Sequence, residues 1–352
     1  MRAVVLVGGF GTRLRPLTFS TPKQMLPVAG RPMIERVLAH LASHGIDDVV
    51  LSLGYRPDAF TEAYADARCA GVRLHYAVEP EPLDTAGAIG FAAHEAGVAE
   101  RFLVVNGDIL TDIDLSALVS FHDGCGAEGT IALTKVGDPS QFGVVPTDED
   151  GRVLAFVEKP PRDEAPTDLV NAGFYVLEAS VLGRIPAGRK VNIERETFPA
   201  MVGAGTLRGW ADPAYWLDVG TPERLLQANL DVLDGRRPAV EVDPSDGDGV
   251  DPAAAVTGSV VATGATVAGG ATVERAVLGR GAQVGAGAVV EEAVLMPGAT
   301  VGEGALVRRS IIGPGARVGA RSSLVDLCVI GDGAEVEPGE SLVGASVPEV
   351  PR

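Results

Sequence analysis

The last third of the chain repeats every 17 residues, and this period restricts the fold more than any other feature of the sequence. A Gly-Ala-x-Val unit recurs there, and its apolar positions are alternately six and eleven residues apart: Val267, Val273, Val284, Val290, Val301, Val307, Val318 and Leu324. A second apolar pair falls between them: Val277-Leu278, Val294-Leu295, Ile311-Ile312 and Val329-Ile330. Three inward-facing positions per repeat predict a triangular β-solenoid in which each coil buries its apolar residues against the next.

This repeat resembles the left-handed parallel β-helix of hexapeptide-repeat proteins, and we predict such a domain over residues 256–352. The preceding residues, 236–255, carry Pro, Gly and Asp without clear periodicity. Such composition is typical of an irregular connection, so this stretch is predicted to be a linker.

Residues 1–235 have a different pattern, in which short β-rich runs alternate with amphipathic helical stretches. Strands are predicted at Ala3–Val7, Val49–Leu53, Arg73–Val78, Phe102–Val105 and Thr130–Val136, and helices at Met33–His44, Thr85–Ala96 and Leu115–His122. The alternation predicts an α/β fold with a Rossmann-like mixed sheet and helices on both faces. Ligands bind at the carboxyl ends of strands in such folds, so Gly8-Gly9 and Asp108 are expected to share one crevice.

Net charge, the lengths of apolar runs and the cysteine positions restrict the partners and the location of the protein. The net charge of -18 argues against nucleic acid or an anionic membrane as the main partner. No apolar run has the length of a membrane span, and the N-terminal residues lack a signal-peptide pattern, so neither feature is expected. Three cysteines (Cys69, Cys125, Cys328) lie far apart without metal-ligand spacing, which predicts a reducing, cytoplasmic location.

The glycine-rich segment from Val4 to Lys23 carries the chemistry near the N-terminus. It is not a dinucleotide fingerprint, because Leu14 occupies the third glycine position, and it is not a P-loop, because no lysine follows the glycines directly. Glycines let a backbone expose N–H groups to a ligand, and the cations Arg13, Arg15 and Lys23 suit a polyphosphate. The segment therefore predicts a nucleoside triphosphate site.

The segment LVGGFGTRLRPLT followed by TPK resembles the signature of sugar-1-phosphate nucleotidyltransferases. The resemblance continues in order through PLDTAGAI, NGDIL, FVEKP, NAGFYVL, NIERETFP and YWLDVGTPE, and it covers the first 230 residues or so. It implies transfer of a nucleotidyl group from a nucleoside triphosphate to a sugar 1-phosphate, with release of pyrophosphate. The attacking phosphate oxygen is already anionic, so catalysis would consist mainly of positioning and charge neutralisation.

The resemblance also implies roles for individual residues. Asp108 and Asp218 match the family's metal-binding aspartates, and Mg²⁺ is the cofactor that such a pair suggests. Arg13 and Lys23 match the cations that hold the triphosphate, which gives a catalytic set of Arg13, Lys23, Asp108 and Asp218. The residues that match the nucleotide site are Gly8, Gly9, Gly11, Thr12, Glu79, Thr85 and Gly87. Those that match the sugar phosphate site are Gly143, Glu158, Lys159 and Asn171.

Within the family, LVGG, the acidic run Glu79–Pro82 and NIERETFP look most like mannose-1-phosphate guanylyltransferases. Guanine offers an N1–H and a 2-amino group, and the carboxylate of Glu79 or Glu81 is a suitable acceptor. Gln24, after Lys23, is instead common in thymidylyltransferases that act on glucose 1-phosphate. GTP with mannose 1-phosphate is therefore the predicted pair, and dTTP or UTP with glucose 1-phosphate is the alternative. Asp84 departs from the usual glycine of its loop, which leaves the contacts to the base open.

Two other functions are weighed against this one. An acetyltransferase in the β-helix would use a histidine base, and the tail contains neither histidine nor lysine. A non-catalytic subunit that senses nucleotide sugars would be free to lose the site residues, whereas this chain retains its phosphate cations and both aspartates. Exposed β-helix faces often mediate assembly, so a homo-oligomer is the expectation.

Overall fold

The structure, a computed structural model, describes residues 1–237 and 249–350. The described chain forms two compact units: Met1–Gly9 with Val37–Trp216, and Phe10–Arg36 with Leu217–Arg352. The glycine-rich segment is thus divided between the units after Gly9. Most of the predicted linker, residues 238–248, lies outside the described residues, and Val250 already pairs with Val267 of the solenoid.

The strands before residue 237 are β1 (Arg2–Leu6), β2 (Pro27–Val28), β3 (Arg31–Pro32), β4 (Asp48–Leu53), β5 (Arg68–Cys69), β6 (Val72–Val78), β7 (Phe102–Asn106), β8 (Ile109–Thr111), β9 (Gly129–Lys135), β10 (Gly143–Val144), β11 (Val157–Glu158), β12 (Leu169–Leu177), β13 (Leu207–Ala211) and β14 (Trp216–Asp218). The α-helices are α1 (Met33–Ser43), α2 (Asp58–Ala63), α3 (Asp84–Glu95), α4 (Leu115–Cys125), α5 (Phe198–Ala204) and α6 (Pro222–Leu233). None of the helices in the described part of the chain combines the length and apolarity needed to cross a membrane.

The first unit is built on a ten-stranded mixed sheet. Its order is β11-β10-β12-β7-β1-β4-β6-β5, and β9 and β13 extend it from β12. Strands β7, β1, β4 and β6 are parallel, whereas β12 runs antiparallel to both β7 and β9. Ala3, Val4 and Val5 in the central strand β1 are completely buried, as expected for a parallel strand covered on both faces. The predicted α/β fold is confirmed.

Neighbouring strands bring two predicted site segments to one edge of this sheet. Leu6 at the end of β1 pairs with Asn106 at the end of β7, so Gly8-Gly9 and Asp108 emerge at the same carboxyl edge. Gly107 donates its N–H to the Leu6 carbonyl at 3.0 Å. A Cβ on Gly107 would lie 2.8 Å from Val7 Cγ1, so a glycine is needed where the two strand ends approach.

The solenoid strands are β15 (Ala255–Thr257), β16 (Val260–Val261), β17 (Thr266–Val267), β18 (Thr272–Glu274), β19 (Val277–Leu278), β20 (Gln283–Val284), β21 (Val289–Glu291), β22 (Val294–Leu295), β23 (Thr300–Val301), β24 (Leu306–Arg308), β25 (Ile311–Ile312), β26 (Arg317–Val318), β27 (Ser323–Val325), β28 (Val329–Ile330), β29 (Glu335–Val336), β30 (Ser341–Val343) and β31 (Ser346–Val347). They form three parallel sheets of six, six and five strands.

The registers of these sheets confirm the 17-residue period. Val267 pairs with Val284, which pairs with Val301, and all three are buried in the solenoid core. Ile311, however, pairs with Val329, so this coil contains one extra residue. The longer turn includes Asp326 and Leu327, whose φ angles are 57° and 70°. The repeat is therefore that of the predicted β-helix, with a single insertion.

Candidate active site

In the first unit, Gly8 lies beside Glu79. A Cβ on Gly8 would be 3.7 Å from Glu79 Oε1. The Glu79 carboxylate accepts hydrogen bonds from the Ser52 hydroxyl at 3.2 Å and from the Leu83 N–H at 3.1 Å. Burial raises the pKa of Glu79, although these two hydrogen bonds oppose the change. Glu79 thus joins the end of β4 to the loop 79–83 beside Gly8, whereas Glu81 is exposed.

Thr85 and Gly87, at the start of α3, contact the segment before α5. The Thr85 hydroxyl donates to Glu194 Oε2 at 2.9 Å and accepts from the Ile193 N–H at 2.8 Å. A Cβ on Gly87 would lie 2.7 Å from the Arg189 carbonyl oxygen, so only glycine permits this approach. Both residues fasten this segment to α3, and their role toward a nucleotide stays a prediction.

Glu194 is a carboxylate that sequence reasoning did not single out, although it lies within NIERETFP. It is part of a π-helix, Ile193–Thr197, a local form that is frequent at functional sites. Burial raises the pKa of Glu194, and the nearby charges of Glu158 and Asp84 act in the same direction. Its position inside a recognised motif, together with its acidity, was the signal that could have identified it.

Gly143, Glu158 and Lys159, which are predicted to bind the sugar phosphate, are brought together by two short strands, β10 and β11. Gly143 pairs with Glu158, and a Cβ on Gly143 would lie 2.6 Å from the Phe156 ring and 3.2 Å from Glu158 Oε2. Lys159 Nζ lies 3.5 Å from Glu158 Oε1 and its side chain is 61% exposed. An exposed pair of this kind is weak, so the ammonium is available to an incoming anion.

Asn171, on strand β12, forms hydrogen bonds with two other residues of the same strand. Its Nδ2 donates to the Tyr175 hydroxyl at 2.8 Å, and its Oδ1 accepts from the Gly173 N–H at 2.9 Å. Tyr175 is completely buried, and burial raises the pKa of its phenol. The charges of Glu194, Glu158 and Asp108 raise this pKa further, whereas the hydrogen bond from Asn171 lowers it.

In the second unit, Gly11 packs closely against the side chains of Thr18 and Lys23. Gly11 has a φ of 59°, and a Cβ there would be 3.0 Å from Thr18 Cγ2 and 3.3 Å from Lys23 Cβ. The Gly11 carbonyl accepts from the Thr18 hydroxyl at 2.7 Å. The short 3₁₀ helix Thr12–Leu14 follows and carries Arg13. The turn thus holds Lys23 next to the glycine loop.

Arg13 and Asp218 also meet within the second unit. Both approach Gly220: a Cβ on this residue would lie 2.6 Å from Arg13 Nη2 and 2.8 Å from Asp218 Oδ1. Asp218 Oδ1 is buried, whereas Arg13 is exposed. A cation is thus held beside the aspartate that the sequence assigns to the metal.

Asp108 and Asp218, the two predicted metal ligands, are carboxylates, the type of ligand that Mg²⁺ prefers. Asp108 belongs to the first unit and Asp218 to the second. Among residues 1–237 and 249–350, no group of three or more His, Cys, Asp or Glu side chains could hold a metal. Mg²⁺ is commonly bound by one or two carboxylates, with substrate phosphates and water as its other ligands. The chemistry of the two side chains suits this mode, and metal binding stays a prediction.

Two family models match separate ranges of the chain. The model of the nucleotidyl transferase family, described as "Nucleotidyl transferase", matches residues 2–235, and that of the "GMPPB C-terminal domain" matches residues 255–351. The chain belongs to the nucleotidyl transferase family. Its catalytic residues are therefore sought in the first 235 residues, where all of those predicted from the sequence lie.

Curated relatives match this nucleotidyltransferase over different lengths. A mannose-1-phosphate guanylyltransferase of Mycobacterium tuberculosis is 43% identical over 288 residues, which is 78% of this chain and 79% of that protein. A mannose-1-phosphate guanyltransferase of Aspergillus fumigatus is 43% identical over 230 residues, which is 64% of this chain and 62% of that protein.

Solved structures resemble the nucleotidyltransferase in about two thirds of its length. HddC from Yersinia pseudotuberculosis, complexed with GMP-PN, is 27% identical with a TM-score of 0.57, and the match covers 66% of this chain and 99% of HddC. A putative glucose-1-phosphate thymidylyltransferase from Bacillus anthracis is 26% identical with a TM-score of 0.58, over 65% of this chain and 93% of that one.

Proposed function

We propose that this nucleotidyltransferase transfers GMP from GTP to mannose 1-phosphate, forming GDP-mannose and pyrophosphate, with Mg²⁺ as its cofactor. The observation that carries the proposal is the 43% identity with the mannose-1-phosphate guanylyltransferase of M. tuberculosis across 79% of that protein. This match is longer than the catalytic domain alone, since it extends over 288 residues.

The residues present suit the chemistry of this transfer. A phosphate oxygen of the sugar 1-phosphate forms a bond to the α-phosphorus of the triphosphate, and the bond from that phosphorus to the pyrophosphate oxygen breaks. The nucleophile is already anionic, so no general base is required. Lys159 would bind the sugar phosphate, while Arg13 and Lys23 would neutralise the charge that develops on the departing pyrophosphate.

The metal is part of the same proposal. Asp108 and Asp218 would hold Mg²⁺, which as a Lewis acid withdraws charge from the reacting phosphate when bound. Chelation with EDTA should abolish pyrophosphate release, and added Mg²⁺ should restore it. Full activity after exhaustive chelation would remove the metal from the proposal without removing the transfer.

The test of the substrates is a panel of GTP, ATP, UTP, CTP and dTTP against the 1-phosphates of mannose, glucose and N-acetylglucosamine. Pyrophosphate release is followed in each combination, and the nucleotide sugar is identified by mass spectrometry. The expected result is the highest kcat/KM for GTP with mannose 1-phosphate. No turnover with any pair would reject the enzyme and leave a nucleotide-sugar sensor, whose ligand binding could then be measured directly.

A second candidate is transfer of a thymidylyl or uridylyl group to glucose 1-phosphate. The observation in its favour is Gln24, which follows Lys23. It is 1% exposed and is thus packed within the short helix Lys23–Met25. The likeness to the B. anthracis protein points in the same direction. A preference for dTTP or UTP with glucose 1-phosphate in the panel would decide for this candidate.

A further inference from the structure

Helix α6 connects Asp218 to the segment that carries the triphosphate cations. It begins at Pro222, just after Asp218, and Thr221 caps it by accepting from the Arg224 N–H. Asn229 in its middle is completely buried, and its Oδ1 accepts from the Ala29 N–H at 2.7 Å. Ala29 lies in the turn between β2 and β3, a few residues after Lys23. Helix α6 is therefore linked to Asp218 along the chain and to the segment of Lys23 through Ala29.

The end of α6 is joined to the solenoid by ion pairs. Asp234, which follows the last turn, accepts from Arg275 Nη2 at 2.9 Å and from Arg275 Nε at 3.2 Å. Arg275 also pairs with Glu292, and Glu292 pairs with Arg309 at 3.1 Å. We call Arg275, Glu292 and Arg309 the corner ladder, because they occupy equivalent turns of three successive coils.

Two observations indicate that the corner ladder is more than a solvated surface. Its residues have φ angles of 47°, 47° and 46°, a conformation that costs a non-glycine residue about 1–2 kcal/mol and that Gly258 adopts in the preceding coil. A carboxylate at a helix C-terminus is also unfavourable, yet Asp234 is placed there and no basic residue occupies the last turn of α6. The positive charge of Arg275 thus offsets the unfavourable position of the Asp234 carboxylate.

The insertion in the solenoid faces the same helix. Leu327, in the coil with the extra residue, lines a groove together with Leu226 and Leu230 of α6. A further contact joins the solenoid to the segment 10–36, since a Cβ on Gly331 would lie 3.0 Å from Pro16 Cβ. The solenoid therefore contacts α6, which follows Asp218, and the segment 10–36, which carries Arg13 and Lys23.

We infer that the β-helix positions the triphosphate side of the active site, and that Arg275 is a positioning residue that acts through α6 on Asp218 and on the segment with Arg13 and Lys23. This inference rests on the proposed nucleotidyl transfer. It extends that proposal by giving the solenoid a part in the reaction, exerted through α6.

The test compares Arg275→Ala with Arg308→Ala. Arg308 is the matched control, because it is an exposed solenoid arginine whose ion pair, with Glu291 at 2.7 Å, joins it to the neighbouring coil and not to α6. With the best substrate pair, Arg275→Ala should lower kcat at least about tenfold, as displaced catalytic groups do, and leave KM for the sugar 1-phosphate within about twofold. Arg308→Ala should leave both constants near those of the wild type.

A second readout does not depend on turnover. Hydrogen–deuterium exchange should become faster in peptides from segment 10–36 and from α6 in Arg275→Ala, and stay unchanged in these peptides in Arg308→Ala. If the wild type turned over no substrate pair, the proposed function would fail while this measurement still judged the positioning role. Equal kinetics and equal exchange in the two variants would overturn the inference.

Asp234→Asn weakens the same ion pair from the helix side, so the test does not depend on the folding of the Arg275 variant alone. It should reproduce the loss of kcat, and the double variant should lose no more than either single variant, because both remove one interaction. Fully additive losses would contradict a role through the Asp234–Arg275 pair.

Discussion

Arg13 and Asp218 converge on Gly220, where a Cβ would lie 2.6 Å from the guanidinium of one and 2.8 Å from the carboxylate of the other. The cation and the aspartate are thus kept adjacent by the absence of a side chain between them. Both neighbouring groups are the ends of movable side chains, so an added methyl group would displace them rather than the backbone.

Gly220→Ala should therefore impair activity more than stability. We expect kcat to fall about 10- to 100-fold, because small displacements of positioned groups are costly, while the free energy of unfolding changes by about 1 kcal/mol or less. Gly183→Ala is the control, since nothing lies within 4 Å of a Cβ at that position. Steady-state kinetics and urea unfolding measure the two effects; a stability loss that accounts for the whole activity loss would contradict the prediction.

Asp218→Asn should keep the shape of the site but remove its negative charge. The expected loss is about 3–4 kcal/mol of transition-state stabilisation, the scale of a lost electrostatic contact at a reacting phosphate. The variant should also need a higher Mg²⁺ concentration for half-maximal rate. Asp150→Asn, in an exposed turn, is the control. An unchanged kcat with normal Mg²⁺ dependence would remove Asp218 from the mechanism.

Lys159→Gln should weaken the binding of the sugar 1-phosphate selectively. A hydrogen bond to a charged group contributes about 1.5–3 kcal/mol, so KM for this substrate should rise about 10- to 100-fold with little change for the nucleotide. Lys135→Gln is a matched control, because Lys135 is likewise exposed and paired with a carboxylate, Asp168, at 2.9 Å. Kinetics with each substrate varied in turn separate the two constants; equal increases for both substrates would argue against the assigned role.

His122 should make the first unit less stable in mild acid. Its ring is buried between Thr130 and Glu178, and burial lowers its pKa below 6.5, although the contact with Glu178 opposes the change. The unfolded chain then binds a proton at a higher pH than the folded one, so acidification through about pH 6.5 favours unfolding. NMR titration should place the pKa of His122 below that value, and His122→Gln should reduce the stability difference between pH 7.5 and 5.5. A pKa above 6.5 would reverse the sign.

The solenoid was predictable because its information is local. Each coil repeats the same apolar positions, so the pairing of Val267 with Val284 follows from a 17-residue spacing that is visible in the sequence. The mixed sheet was predictable for a related reason, since β-rich runs and amphipathic stretches alternate along the chain. Neither required knowledge of a contact between distant residues.

The protein contacts of the site residues were not predictable, because their partners are distant in sequence. Thr85 matched a nucleotide motif, but its hydroxyl is engaged by Glu194, 109 positions away. The contact of Pro16 with Gly331 likewise joins positions at opposite ends of the chain, and both residues belong to the second unit. A motif indicates which residues take part, and only the packing shows what holds them.

Helix α6 borders the solenoid at two points, Arg275 and the longer turn Asp326–Leu327, so the length of the helix can be compared with the rise of the coils. Arg275 and Leu327 are three coils apart, about 14 Å at the spacing of neighbouring strands. Their partners Asp234 and Leu226 are eight residues apart on the helix, about 12 Å along its axis. A solenoid with one coil added or removed between these points would no longer match the helix, so the number of coils here is set by the length of α6.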